Sequence, residues 1–490
     1  MPQAGCSSES DRPFIQGAAG DSGINSVEVL EPPPTGGTSG VETDSSASIT
    51  DGGLVSLTDG GSQAPVQDDA DSKMIDSEAA GLDGRSESVP TESGVGVVTS
   101  ADALRQLLDH LAIPVGSRGD IESMPFAQVP LTREDAEAAR AALWQDLEED
   151  LRASRRAEHD AKSITIGDYT LRYDTVVLGS EPPGGRSLFI TMHGGGNAPA
   201  SANDSQWINQ IELATSYHPQ DALWVAPRAP TDDWNMWFKD HIDGLFDRLI
   251  TNMVVFEGIN SNKVYLTGYS AGGDGVYALT PRTADRWAGA AMSAGHPNGV
   301  SLANLRNVAF AIYVGANDSS YNRNTVGVEY AAKLDALQAA DPGGYPHQAG
   351  FPLTSHWMNL QDQPSIPFIQ GYTRDPAPNR VVWEQHPATH SRFYWLALDA
   401  GDEREGTKVI ASYQGQTVSL EEIEGLNQLR VRFSEKMVDM DQPVTIVHDG
   451  NTLFEGHVRR NIAVIERTLR EREDPEMAYL GELSLTLASH

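Results

Sequence analysis

The run Val264-Tyr265-Leu266-Thr267-Gly268-Tyr269-Ser270-Ala271-Gly272-Gly273 decides the fold class. Its first half is a short apolar segment of strand length. Its second half is small, glycine-flanked and centred on a serine. A serine on a sharp strand-to-helix turn has little room around its backbone, and flanking glycines remove the Cβ clashes that would otherwise forbid the bend. The turn lifts the hydroxyl above the sheet, where a base can reach it, so Ser270 is the candidate nucleophile. In a chain with 46 glycines the five-residue pattern alone is weak. The strand directly before it gives it weight.

Working outward, similar apolar runs occur at Ser187–Met192, Leu223–Ala226, Ala288–Ser293 and Val308–Val314, separated by helical stretches or long loops. Strand and helix in alternation imply an α/β fold, with a doubly wound, mostly parallel sheet covered on both faces. Chemistry in such sheets gathers at the carboxyl ends of strands. His193-Gly194-Gly195-Gly196 lies at one such end. Glycine lets backbone N–H groups approach a developing oxyanion. The expected donors are Ala271 and either Gly195 or Gly196, with His193 bracing the loop. No Lys-Ser/Thr follows the glycines, which excludes a phosphate-binding P-loop.

The glycine loop followed by the serine elbow resembles the α/β-hydrolase superfamily over residues 163–371. Within it, the spacing and loop resemble the esterase, feruloyl-esterase and polyester-depolymerase branch. The resemblance implies a serine hydrolase acting on a small-molecule or polymer ester, with no metal and no cofactor. It also implies an acid and then a histidine after the serine. Asp318, after the Val308–Val314 run and the turn Gly315-Ala316-Asn317, fits the acid. His356 fits the base: it follows a strand-like stretch, Gln348–Leu353, and opens what reads as a helix at Trp357-Met358-Asn359-Leu360. His390 is the alternative base. His347 and His386 are weaker candidates, and Pro387 between His386 and His390 argues against a helical metal pair there. Trp234, Trp237 and Trp357, near strand ends, are candidate substrate contacts. The competing functions are a serine peptidase of prolyl-oligopeptidase type and a non-catalytic protein that binds carbohydrate or acts as a scaffold.

The 490 residues divide by composition. Residues 1–99 form an acidic, low-complexity tail too poor in apolar side chains to fold, and are expected to be disordered. The first hundred residues hold 17 Asp and Glu against Arg12, Lys73 and Arg85, so −14 of the net charge of −34 falls there. That balance argues against nucleic acid and anionic membrane surfaces as partners. Cys6 is the one cysteine, so no intrachain disulfide forms. Ala4-Gly5-Cys6-Ser7-Ser8 resembles the start of a lipidated bacterial lipoprotein, which implies a lipid anchor at Cys6 and an extracytoplasmic location, although Gln3 departs from that pattern. No run of 18 apolar residues spans a membrane. Residues 100–162 read as a helical segment, capped at Ser100 and Thr132, that packs on a catalytic domain over 163–375. Its second helix carries the stripe Leu143, Trp144, Leu147 and Leu151. Residues 376–490 read as a β-sandwich-like domain with one helix near Ile462.

Overall fold

A computed structural model describes residues 98–487. The expected tail, apart from Val98 and Thr99, and the expected anchor at Cys6 lie outside the described residues. The first described helix, α1 (Ser100–Leu111), is capped by Thr99, not Ser100: the Thr99 hydroxyl accepts from the Asp102 N–H and the Asp102 carboxylate accepts from the Thr99 N–H. This reciprocal box satisfies two backbone donors at the helix start. Ser100 instead ties α1 to the next helix, α2 (Arg133–Asp160), donating to Asp135 at 2.5 Å and accepting from the Thr132 N–H at 2.9 Å. Thr132 caps α2, and Leu143, Leu147 and Leu151 are buried along one face of it.

The main sheet follows. Its strands are β1 (Ser163–Ile166), β2 (Tyr169–Leu178), β3 (Arg186–Met192), β4 (Ala222–Arg228), β5 (Ile259–Tyr269), β6 (Gly289–Ser293), β7 (Ala309–Tyr313) and β8 (His347–Gly350). They lie in the order β1-β2-β4-β3-β5-β6-β7-β8. Strands β3 to β8 run parallel, and β1 and β2 pair antiparallel at one edge. Every residue of β4, β6 and β7 is buried, as both-face coverage requires. The intervening helices are α3 (Ala200–Tyr217), α4 (His241–Glu257), α5 (Ala271–Arg282), α6 (Arg323–Ala340) and α7 (Ser365–Gln370). Helix α5 starts directly after Ser270. The helix expected at Trp357–Leu360 is absent: Asn359 and Leu360 sit at φ +50° and +63°, which breaks a right-handed path, and helix resumes only at Ser365.

Beyond residue 375 the chain builds two smaller sheets. The five-stranded one, in the order β16-β15-β13-β12-β9, uses β9 (Arg380–Glu384), β12 (Lys408–Gln414), β13 (Thr417–Glu424), β15 (Val444–His448) and β16 (Asn451–Gly456). The four-stranded one, β10-β11-β14-β17, uses β10 (Arg392–Phe393), β11 (Leu396–Ala397), β14 (Gln428–Phe433) and β17 (Gly481–Thr486). Trp383 stacks on Phe393 across the two sheets, with ring centroids 5.8 Å apart. Neither β13 nor β16 is legible from composition. Glutamates 421, 422 and 424 load β13 with charge. Strand β16 pairs with β15 through Asp449-Gly450, both at positive φ in a two-residue hairpin turn. Helix α8 (Ile462–Arg472) packs against α2.

Buried ion pairs join this C-terminal part to the main sheet's helices. Arg374 donates to Asp474 at 2.7 Å, with both side chains under 5% exposed. Arg286 pairs with Asp247 at 2.6 Å and donates to the Arg472 carbonyl at 2.9 Å, while Asp285 pairs with Arg472 and accepts the Tyr394 N–H at 3.0 Å. Burial would raise the Asp247 and Asp474 carboxyls, but the surrounding arginines outweigh it. Asp247 is held down at about 2 and Asp474 below its ordinary value. Removing one partner from such a pair leaves an uncompensated buried charge. Arg374→Ala is therefore expected to lower unfolding free energy by about 3–5 kcal/mol in urea titration. A depressed carboxyl contributes stability in full above its unfolded value near 3.9 and loses it as pH falls toward the folded value. The melting temperature should accordingly hold down to about pH 4 and drop steeply from there toward pH 2, by scanning calorimetry.

Candidate active site

Ser270 joins β5 to α5 at φ +57° and ψ −120°. An L-residue held there costs about 1–3 kcal/mol. Its N–H is tied to the Ser293 carbonyl on β6 at 2.9 Å, and its carbonyl accepts the Asp274 N–H at 3.0 Å in the first turn of α5. Gly272 has no substitute: an added Cβ would overlap the Met192 carbonyl oxygen at the end of β3.

Two other strand ends deliver the partners. Asp318, 2% exposed, follows β7 and accepts from His356 Nδ1 at 2.7 Å. His356 follows β8, and its Nε2 lies 3.0 Å from Ser270 Oγ. With Asp318 ionised, Nδ1 carries the proton and Nε2 is free to accept from the serine hydroxyl. Arg323, at the start of α6, lies 3.7 Å from the other Asp318 oxygen. The His356 side chain is 43% exposed, so the line of hydrogen bonds from Asp318 through His356 to Ser270 opens to solvent at the imidazole.

The glycine loop lies against the serine, where an added Cβ on Gly194 would come 3.2 Å from Ser270 Cβ. Of the two glycines expected to offer an N–H, Gly196 is already engaged, donating to Asn203 Oδ1 at 2.9 Å. It is therefore corrected out of the oxyanion set. Gly195, at φ +105°, has no N–H partner among the described residues and stays available. Ala271 opens α5, where first-turn N–H groups have no intrahelical acceptor. Asn203, fully buried on α3, also donates to Asp232 at 2.7 Å, and this residue was not anticipated. A lone Asn in a helical stretch carries no mark of the loop it will hold. His193 behaves as a brace: its Nδ1 faces the Gly194 carbonyl at 2.6 Å and its Nε2 accepts the Ala229 N–H at 3.1 Å. Burial pushes it down to about 4, so it is neutral.

The aromatic candidates divide. Trp237 is wholly buried, its indole N–H donating to the His193 carbonyl at 2.8 Å, so it supports the loop and cannot contact a substrate. Trp234 is 56% exposed, and its backbone packs against Gly196. Trp357 is 47% exposed, its ring 5.4 Å from that of Tyr269. The alternative base is overturned: His390 Nε2 pairs with Asp243 at 3.1 Å, an aspartate that also holds Arg282, and not with Ser270. His386 is buried and pushed down to about 4, and His347 pairs with Asp335 at 3.0 Å.

No protein-family model and no curated protein matches the sequence. Solved structures that resemble it include esterase PE8, at 15% identity and a TM-score of 0.31, covering 41% of this chain and 99% of that one. A Bacillus cereus carboxylesterase is similar at 14% identity and a TM-score of 0.32, covering 46% of this chain and 98% of that one. A putative dipeptidyl aminopeptidase IV from Bacteroides ovatus is similar at 12% identity and a TM-score of 0.33, covering 43% of this chain and 35% of that one. The functional reading therefore rests on the residues themselves.

Asn203→Ala frees the Gly196 N–H and strips Asp232 of a buried donor. It is expected to cost about 1–3 kcal/mol of stability in denaturant titration. It should also speed hydrogen exchange across residues 194–199 while leaving α6 unchanged.

Proposed function

We propose that the chain is a serine hydrolase that cleaves carboxylic esters through an acyl-enzyme on Ser270, without metal or cofactor. One observation carries this reading: the hydrogen-bonded line from Asp318 through His356 to Ser270, assembled from the ends of three strands of one sheet. The chain order Ser, Asp, His and the serine on a strand-to-helix turn agree with the superfamily named above. His356 takes the hydroxyl proton as Ser270 Oγ attacks the ester carbonyl. The Ala271 and Gly195 N–H groups receive the oxyanion. The tetrahedral intermediate collapses, expelling the alcohol, which takes the proton from His356. Water then surrenders a proton to His356 as it attacks the acyl carbonyl, and the second tetrahedral intermediate collapses, breaking the bond to Ser270 Oγ, which takes that proton back from His356 as the carboxylic acid leaves. Asp318 keeps the imidazole in the required tautomer and stabilises its charged form.

Residues 163–375 form the hydrolase domain in this reading, with the helical segment 100–162 packed on it and a β-sandwich-like domain over 376–490. The exposed indoles Trp234, on the glycine-loop side, and Trp357, on the base side, are the proposed walls for an apolar or aromatic group of the ester. Their exposure beside a half-exposed imidazole supports an open site that accepts a small or polymeric ester.

A fluorophosphonate probe should label the full-length protein at Ser270, and Ser270→Ala should abolish both label and nitrophenyl-ester turnover. Asp318→Asn is expected to lower kcat by about 10⁴, whereas His390→Ala should stay within about twofold of the parent. Turnover of aminoacyl nitroanilides at rates matching the esters would favour the peptidase reading. A folded protein that neither labels nor turns over would sink the hydrolase reading.

A further inference from the structure

The loop that carries His356 is pinned at both ends. At its start the Ala316 N–H donates to the Pro352 carbonyl at 2.7 Å and the Asn317 N–H to the Thr354 carbonyl at 2.9 Å, so the base loop hangs on the turn that carries Asp318. At its end the buried Asp362 accepts from the hydroxyls of Tyr217 and Ser293, each at 2.6 Å. Between these anchors the backbone has no regular structure, and Asn359 and Leu360 turn it through positive φ. His356 lies in that span. Asp318 holds its imidazole, and its backbone is held by the side chain of Tyr269, the residue directly before Ser270. The Tyr269 hydroxyl donates to the His356 carbonyl at 2.7 Å and accepts the Met358 N–H at 2.9 Å. Its ring meets the imidazole nearly edge-on, at 77° with centroids 6.0 Å apart, and also contacts the Trp357 ring.

We propose that Tyr269 is a positioning residue for His356, fixing the distance between base and nucleophile by tying the backbone of one to the side chain next to the other. The inference rests on the hydrolase reading of Ser270 and His356 and adds a residue to it. The geometry is economical in degrees of freedom. Tyr269 and Ser270 are neighbours in the chain, so any shift of the elbow carries the phenol with it, and the phenol carries the His356 carbonyl. A hydroxyl is required, since only a group that both donates and accepts can satisfy the carbonyl and the N–H together. Phenylalanine would keep the ring contacts and leave both backbone groups unpaired. Near-attack geometry is steep in distance: a misplacement of about 1 Å can cost about 10²-fold in rate.

The test is Tyr269→Phe in the full chain, with melting temperature as the check on folding and phenyl fluorophosphonate and nitrophenyl acetate as probes. The expected result is a fall in kcat of between about 10- and 100-fold with KM within about twofold, since the tyrosine acts through the base and not on bound ester. Hydrogen exchange should quicken in the segment containing Met358 and stay unchanged in α5. The decisive arm is a double-mutant comparison: Tyr269→Phe added to His356→Ala should bring no further loss in the slow labelling rate, because the group it positions is gone. An equal loss in both backgrounds would overturn the inference and make Tyr269 merely structural, as would a Tyr269→Phe variant that labels and turns over like the parent. Absence of labelling in the parent itself would overturn the hydrolase reading and this inference with it.

Discussion

The backbone at Ser270 is held at positive φ between the end of β5 and the first turn of α5, and the surrounding structure is arranged to keep it there. The conformation is unfavourable for an L-residue, so it persists only where neighbours over-determine it. Four contacts do so. The Ser270 N–H is tied to the end of β6, Gly272 is pressed on the carbonyl that ends β3, Gly273 lies against the backbone at Ser293 and Gly295, and α5 runs on from Ala271. The first three of these partners belong to the sheet or to a loop that leaves it. The elbow is therefore built by sheet order: β5 must lie between β3 and β6 for the strained turn to be wedged from both sides. The same order brings the glycine loop after β3, Asp318 after β7 and His356 after β8 to one rim.

This explains which parts of the site could be read in the sequence. Ser270 and Asp318 were legible because each follows a short apolar run, and His356 because it follows the strand-like stretch Gln348–Leu353; in a parallel sheet the carboxyl ends of such segments converge. The pairing depended on strand order only loosely, since every parallel strand delivers its loop to the same edge. Side-chain direction was not legible. Trp234 and Trp237 lie three residues apart after β4, and only the structure reveals that one faces solvent while the other goes under His193. Gly195 and Gly196 look equivalent in sequence, yet one N–H is consumed by an asparagine from α3. The helix read at Trp357–Leu360 failed for a related reason. Its apolar spacing suits a helix, but Tyr269 fixes the backbone at His356 and Met358 in an open turn, and this tertiary contact overrides local preference.

The C-terminal sheets were harder to read for a different reason. Strand β13 carries three glutamates in eight residues, and two of them are met by basic residues of the same sheet: Lys408 on the adjoining β12 pairs with Glu422 at 2.7 Å, and Arg380 on β9, one strand further, pairs with Glu421 at 2.7 Å. Charge that looks like a solvated loop in one dimension becomes a cross-strand pattern in two. His390 shows the same logic. As a late histidine it was a plausible base, yet it pairs with Asp243 on α4, which in turn holds Arg282 at the end of α5.

That last contact links the C-terminal part to the elbow. Helix α5 begins at the residue after Ser270 and ends at Arg282, whose guanidinium is gripped by Asp243 and by the Phe238 and Lys239 carbonyls. Just beyond, Asp285 accepts the Tyr394 N–H, and the Tyr394 hydroxyl donates to the Ala284 carbonyl at 3.2 Å. The far end of the helix that starts after Ser270 is thus seated on residues contributed after position 375. Buried pairs of this kind add little net stability, because desolvation offsets most of their attraction. Their geometry is nonetheless strict, since each donor has one acceptor to meet. A guanidinium shared between a carboxylate and two carbonyls has fixed donor directions, so it anchors the end of α5 that lies farthest from Ser270.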